Sequence, residues 1–268
     1  MVLVDTHCHL DFNLFDSDRE IILERAHQDG IDFIIDPGID LTTSKAALKL
    51  AGLHPEVYAA VGVHPGEANT WNNETIDQLN RLALDTRVVA IGEIGLDYYH
   101  EKTNIALQKE IFVSQLQLAA HLNLPVIVHS REAAEDTLEI LAEWYGYLKK
   151  QNSSLIDHPG VMHSFESGIG FALKYINMNF LIGIGGPVTF KNARDKHELA
   201  SEISIDNILL ETDAPFLTPH PFRGKRNEPD YVKFVAEKIA ELKDLSLQQV
   251  GEITTNNATE LFRREFAD

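Results

Sequence analysis

The chain has 268 residues, 44% of them hydrophobic and 24% charged, with 16 glycines and 10 prolines; these values exclude a disordered or collagen-like chain. Acidic residues outnumber basic ones 41 to 23, a formal charge of −18, which excludes a long basic face for duplex DNA. A single cysteine, Cys8, excludes an internal disulfide framework.

The opening MVLVDTHCHL has no basic leader, and Asp5 breaks its apolar run after four residues. No signal peptide is expected, no stretch approaches the roughly 18 apolar residues of a membrane span, and a cytoplasmic chain is the reading. Short β-branched runs then recur: Val2-Leu3-Val4, Phe33-Ile34-Ile35, Val57 to Val63, Val88 to Ile91, Val126-Ile127-Val128, Gly160-Val161-Met162, Phe180 to Ile184 and Ile208 to Leu210. Such runs suit parallel strands covered on both faces. Helix-period segments lie between them, at Asp18 to Gln28, Thr43 to Leu53, Glu74 to Leu84, Asn104 to Leu122 and Arg131 to Leu148.

Strict alternation argues for right-handed βαβ units, and eight units close naturally into a barrel. The expectation is an α/β chain forming one (β/α)8 TIM-barrel domain over residues 1–268. Glu228 to Phe266 carries more helix than one unit needs, and extra C-terminal helices packed on the outside are expected. The competing open, doubly wound sheet lacks its glycine-rich loop after the first strand.

The chemistry is concentrated where the strands end. Run one ends in His7-Cys8-His9, run three in His64-Pro65, run four in Glu93, run five in His129, run six in His163 and run eight in Glu211-Thr212-Asp213. Catalytic groups of TIM barrels occupy this rim. Side chains two apart on a strand share a face, so His7 and His9 can reach one ion while Cys8 points away. Taken singly, each residue has a plainer explanation: His129 or His163 as a satisfied core histidine, Glu93 as a salt-bridged carboxylate, Asp213 as a turn former before Pro215. Together they are the donor inventory of an open, catalytic divalent-metal site, compatible with Zn, Mn, Fe or Co and, with waters, Mg.

The segments THCHLD (6–11), GVHP (62–65), IGEIGLDYY (91–99), PVIVHSR (125–131), HSF (163–165), LLETDAPFLTP (209–219) and RGKRNEP (223–229) resemble the TatD family of metal-dependent deoxyribonucleases, amidohydrolase-like barrels. The resemblance implies two divalent metal ions (Mg, Mn or Zn) held by His7, His9, Glu93, His129, His163 and Asp213. Glu93 would bridge them, with His7 and His9 on one ion and His129 and His163 on the other. Ser164 stands where the family often has cysteine, and Tyr145 to Pro159 is longer than usual, on the barrel end away from the chemistry, with His158 as a surface residue there.

For phosphodiester hydrolysis, Asp213 is the expected general base, His64 a partner for the phosphate or leaving group, and Glu211 a group that orients Asp213 or a water. Asp5 and Asp97 are candidates to orient the ligating imidazoles. Arg223, Lys225 and Arg226 form the densest basic cluster and, with Arg131, are candidate phosphate contacts. The expected substrate is DNA, taken as a short single strand or frayed end by a 3′-to-5′ exonuclease, with no membrane, no obligatory protein partner and a monomeric state. A small-molecule amidohydrolase and a non-catalytic metal scaffold are the competing readings; Glu93 in place of a modified lysine speaks against the first.

Overall fold

The computed structural model describes residues 2–100 and 103–264. Its strands are β1 (Leu3–Asp5), β2 (Ile31–Pro37), β3 (Val57–Val61), β4 (Val88–Asp97), β5 (Val126–Arg131), β6 (Gly160–Met162), β7 (Leu181–Ile184) and β8 (Ile208–Leu210). All are parallel and pair in sequence order within one sheet. The two ends of that sheet meet: Thr6 N donates to Leu210 O at 3.1 Å, and Cys8 forms a parallel bridge with Ala214. This is the expected (β/α)8 TIM barrel.

Alternation along each strand makes two apolar layers. Val4, Ile35, Ala60, Val89, Ile127, Val161 and Leu209 pack together inside the barrel. Leu3, Ile34, Val57, Val88 and Ile208 face outward and pack with buried side chains of the surrounding helices. Burial on both faces explains why the runs read as continuous rather than alternating.

The helices are α1 (Arg19–Gln28), α2 (Leu41–Leu53), α3 (Thr75–Leu82), α4 (Ile105–Leu122), α5 (Ala134–Lys150), α6 (Ile169–Ile176), α7 (Arg194–Glu202), α8 (Val232–Lys243) and α9 (Leu247–Phe262). Side-chain caps define several starts. Asp40 accepts from Thr43 N before α2, Asn104 from Ala106 N before α4, and Ser246 from Gln249 N before α9. The fifth helix starts later than expected: Arg131 ends β5 and stays at the rim.

One expectation is corrected. Of the extra C-terminal helices, α9 does not simply lie outside. Ala258, Leu261 and Phe262 join the inner cluster, and Thr255, Asn257, Arg263 and Arg264 bond to Val2 O, Ile208 O, Ser154 O and Thr86 O. Those carbonyls lie at or just before the starts of β1, β8, β6 and β4, so α9 covers the N-terminal mouth. Phe266 lies outside the described residues. Tyr145 to Pro159 forms the end of α5 and a short turn before β6, with His158 half-buried at the same N-terminal end. No helix among the described residues is long and apolar enough to cross a membrane.

Candidate metal centre

The seam that closes the barrel also assembles the site. Asp213 N donates to His7 O and His9 N to Ala214 O, both at 2.8 Å, so the β1 and β8 loops advance side by side. Asp5 fastens them from below, its carboxylate accepting from Thr212 N at 2.9 Å, Thr212 Oγ1 at 2.6 Å and His7 N at 3.3 Å. Asp5 therefore holds the Thr212 hydroxyl and the backbone of both loops rather than an imidazole, contrary to expectation. Asp213 has φ +57°, a left-handed conformation that aspartate tolerates better than most residues. Buried Asn227 pins this loop through Nδ2, which donates to Thr212 O at 2.8 Å and Phe216 O at 2.7 Å.

Glu93 does not end its strand, as the apolar run implied, but sits within β4. Ile91 faces the helix layer, and regular alternation would send Glu93 the same way. The register shifts between Ile91 and Ile94, and such an irregularity re-aims a side chain; Glu93 turns into the barrel. Beyond it, Gly95 has φ +141° and a Cβ there would lie 1.9 Å from His129 O, so only glycine lets β4 and β5 run on together to the rim. On β7, a Cβ at Gly183 would lie 2.5 Å from Glu211 Oε2; that strand supplies room rather than a ligand.

Glu93 divides the site. Its Oε2 lies 3.4 Å from His7 Nε2 and 3.8 Å from His9 Nε2, and its Oε1 lies 2.9 Å from His129 Nδ1 and 3.7 Å from His64 Nε2. Asp213 Oδ1 completes the first group, 4.0 Å from His7 Nε2, 3.7 Å from His9 Nε2 and 3.6 Å from His163 Nε2. His163 stacks on His7, ring centroids 3.4 Å apart, with its Nε2 3.6 Å from Asp213 Oδ1. The resemblance pairs it with His129.

These donors fit a divalent cation. Ligands at about 2.0–2.1 Å from a tetrahedral ion lie roughly 3.3 Å from one another, and His7 Nε2 is 3.3 Å from His9 Nε2. Outer partners fix the tautomers. His9 Nδ1 donates to Pro37 O at 3.1 Å, His163 Nδ1 to Glu211 Oε2 at 3.0 Å and His129 Nε2 to Asp97 Oδ2 at 3.3 Å, leaving the other nitrogen of each ring for the site. His64 is the exception. Its Nδ1 accepts from Gly66 N at 2.9 Å, so the neutral ring carries its proton on Nε2. Although His64, Glu93 and His129 bring three potential ligand atoms together, His64 thus presents a donor, not a lone pair.

The electrostatics follow. Burial pushes Glu93 up, yet His64, His7 and His129 hold it well below the usual carboxylate range. Burial lowers His9 to about 4 and His64 to about 3, keeping both neutral. His129 and His163 go the other way: against the cost of burial, Asp97 and Glu93 raise the first to about 9, and Glu211 and Asp213 raise the second to about 10. Burial, opposed by His163, raises Asp213 to about 7.

A cavity of about 600 Å³ opens over these groups, lined also by Phe12, His100, Arg131, Phe216 and Leu217. A larger cleft of about 830 Å³, among Glu20, His27, Asp32 and His54, gathers no three metal-ligating atoms among the described residues. Arg131 stacks over Tyr99 at 4.1 Å. Exposed Arg223 and Lys225 lie over Phe190 at 4.3 Å and Phe222 at 5.4 Å, outside the cavity lining. Arg226 departs from its expected role. Its guanidinium bonds Asp18 at 2.7 and 3.0 Å and Glu228 at 3.0 Å, so its charge is committed to the fold. Glu211 likewise orients His163 and accepts from Ser164 N at 2.6 Å, rather than orienting Asp213. Sequence reasoning missed His100, whose Nδ1 lies 2.8 Å from Asp97 Oδ2, and Asn227; Asn227 stood within the RGKRNEP segment, but nothing signalled its side chain's role.

Residues 4–263 match the model of the family described as TatD related DNase. The chain belongs to that family. Its relatives include the uncharacterized metal-dependent hydrolase YabD of Bacillus subtilis, 44% identical over 98% of this chain and 99% of the relative. YcfH of Escherichia coli K12, similarly described, is 37% identical over 98% and 96% of the two chains. The crystal structure of YjjV, a TatD homologue from Escherichia coli K12, superposes with a TM-score of 0.89 at 31% identity, covering 98% of both chains. This TatD-family chain is thus a metal-dependent hydrolase, consistent with the histidine–carboxylate cage at its rim.

Proposed function

We propose that the protein is a deoxyribonuclease that holds two divalent ions (Mg, Mn or Zn) and removes nucleotides from the 3′ ends of single-stranded or frayed DNA. The observation that carries this reading is the division of Glu93, whose two carboxylate oxygens face separate histidine groups. His7, His9 and Asp213 with Glu93 Oε2 would hold one ion, His163 adding its Nε2 on that side, and His129 with Glu93 Oε1 would hold the other. Bound there, the ions would polarise a phosphoryl oxygen and acidify the attacking water.

The chain's own groups supply the rest. Asp213, whose Oδ1 lies within 3.6–4.0 Å of the ring nitrogens of His7, His9 and His163, accepts the proton of the attacking water. His64 presents its Nε2–H to a phosphate oxygen or the leaving group, its tautomer fixed by Gly66 N. Arg131 meets the phosphate from the β5 side, and exposed Arg223 and Lys225 meet a more distant one. With only these local cations in a chain of charge −18, a short single strand is favoured over a wrapped duplex. A monomer acting in the cytoplasm suits a chain whose lone Cys8 is buried and free.

The test strips the protein with a chelator and restores Mg, Mn or Zn singly. Metal-restored shortening of 5′-labelled single-stranded DNA from its 3′ end, absent from Glu93→Ala, is the expected result. Intact DNA with every metal, alongside turnover of a lactone or amide panel, would replace the nuclease reading with a small-molecule one.

A further inference from the structure

Phe216 and Leu217, in the loop after β8, are 48% and 39% exposed, yet both line the cavity that holds Glu93 and Asp213. The backbone beneath them is fixed. Phe216 N donates to Asp213 O at 2.8 Å, Asn227 Nδ2 donates to Phe216 O at 2.7 Å, and Leu217 O rests where a Cβ on Gly186 would come within 2.0 Å. The Phe216 ring meets Phe12 edge to face, centroids 6.1 Å apart at 79°, and His9 at 6.3 Å and 69°. Phe12 in turn lies nearly flat on His9, at 4.7 Å and 19°. Aromatic rings therefore descend without a break from the rim to His9.

A scattered exposed phenylalanine needs no explanation, but this one is anchored by main-chain bonds and opens into the reacting cavity. A bare phosphodiester offers it nothing to touch. The base of a nucleotide does, through a flat π face about as wide as the ring. We infer that Phe216, backed by Phe12, is the stacking platform for the base of the nucleotide being released; this rests on the nuclease reading above. The β8 side of the cavity thus grips the base while Arg131, on the β5 side, meets the phosphate. Every base has a π face, so the platform favours nucleic acid over small phosphodiesters without selecting a sequence.

The experiment compares a single-stranded oligonucleotide with the same strand ending in a 3′ abasic residue. Removing the base should lower the kcat/KM of the wild-type enzyme about tenfold, chiefly through KM. Phe216→Ala should lose a similar factor on the base-bearing strand, Phe216→Trp should retain activity, and the losses from removing ring and base should not multiply. Equal fractional losses for Phe216→Ala on both strands, or no loss on either, would overturn the platform while leaving the nuclease activity in place. A wild-type enzyme inert on both strands with every metal would overturn the nuclease reading and the platform together. Unchanged Tm in both variants confirms that folding is not what is being measured.

Discussion

Asp97 grips His129 by the ring nitrogen that faces away from Glu93: Oδ2 lies 3.3 Å from Nε2, while Nδ1 stands 2.9 Å from Glu93 Oε1. Although burial pushes it up, bonds from His129 and His100 hold the Asp97 carboxyl below the usual carboxylate range. It is therefore an anion that fixes the tautomer and raises the basicity of the imidazole proposed to hold metal. Asp97→Ala should weaken divalent-metal binding by about 10–100-fold, with Asp97→Asn between it and the wild type. Chelator-competition titration of the holoenzyme reads this directly; affinities within twofold of the wild type would remove Asp97 from the metal centre.

The metal-free site binds protons where the ions would sit. His129 Nδ1 and Glu93 Oε1 are both acceptors once Nε2 is committed to Asp97, and at 2.9 Å only a cation between them relieves the repulsion. A proton does so in the metal-free protein: against the cost of burial, Glu93, with Asp97 on the other nitrogen, raises His129 to about 9, and Glu211 and Asp213 raise His163 to about 10. Both groups have raised values, so both are protonated at pH 7 and must deprotonate to bind metal. Affinity should rise with pH until about 10, by up to roughly tenfold per unit for each proton released, the slope falling once His129 is deprotonated near 9. Calorimetry in buffers of different ionisation enthalpy should count between two and three protons released at pH 7, the half-protonated Asp213 adding to the two imidazoles; pH-independent binding without release would contradict the assignment of both imidazoles.

Glu93 supplies an oxygen to each histidine group, so its loss should act on both together. Glu93→Gln keeps the volume but not the charge or the second anionic oxygen. Metal binding to the native state raises its stability in proportion to the logarithm of ligand concentration. In the wild type, added Mn or Zn should raise Tm, and in Glu93→Gln that rise should vanish while activity falls on the order of 10⁴-fold. A variant whose Tm still climbs with metal would show that the histidines suffice without the shared carboxylate.

The strand-end chemistry was legible because a TIM barrel converts sequence order into a ring: an apolar run followed by His or Glu places that group at one rim regardless of the rest. What stayed hidden depended on backbone geometry and on individual contacts that residue type does not reveal. That Glu93 lies inside β4 and faces inward rests on a register shift, invisible as composition. That His64 donates rather than ligates rests on one backbone bond from Gly66. His100 stands three residues from Asp97 and is set by the local turn that ends β4, whereas Asn227 carries no local signal because its partner Thr212 lies in a separate stretch of the loop and meets it only after folding. The capping role of α9 was missed for the same reason: its helical period was plain, but the mouth that Phe262 fills is built from several strands.

The basic segment shows how the same residue type divides between fold and function. Arg226, about a quarter exposed, bonds both oxygens of Asp18 and one of Glu228, and lies over Phe15 at 4.8 Å. Glu228 also meets Arg25, so removing Arg226 leaves carboxylates under-compensated at the junction of α1 with the β8 loop. Arg226→Ala should cost about 1–3 kcal/mol of stability, read as a lower Tm and urea midpoint, and should depress all substrates alike. Arg223, exposed and stacked on Phe190, should behave oppositely. Arg223→Ala should leave Tm within about a degree, surface substitutions being near neutral, while weakening DNA cleavage more than hydrolysis of bis-nitrophenyl phosphate. Equal losses on the two substrates would rule out a phosphate contact by Arg223; an unchanged Tm in Arg226→Ala would rule out the brace.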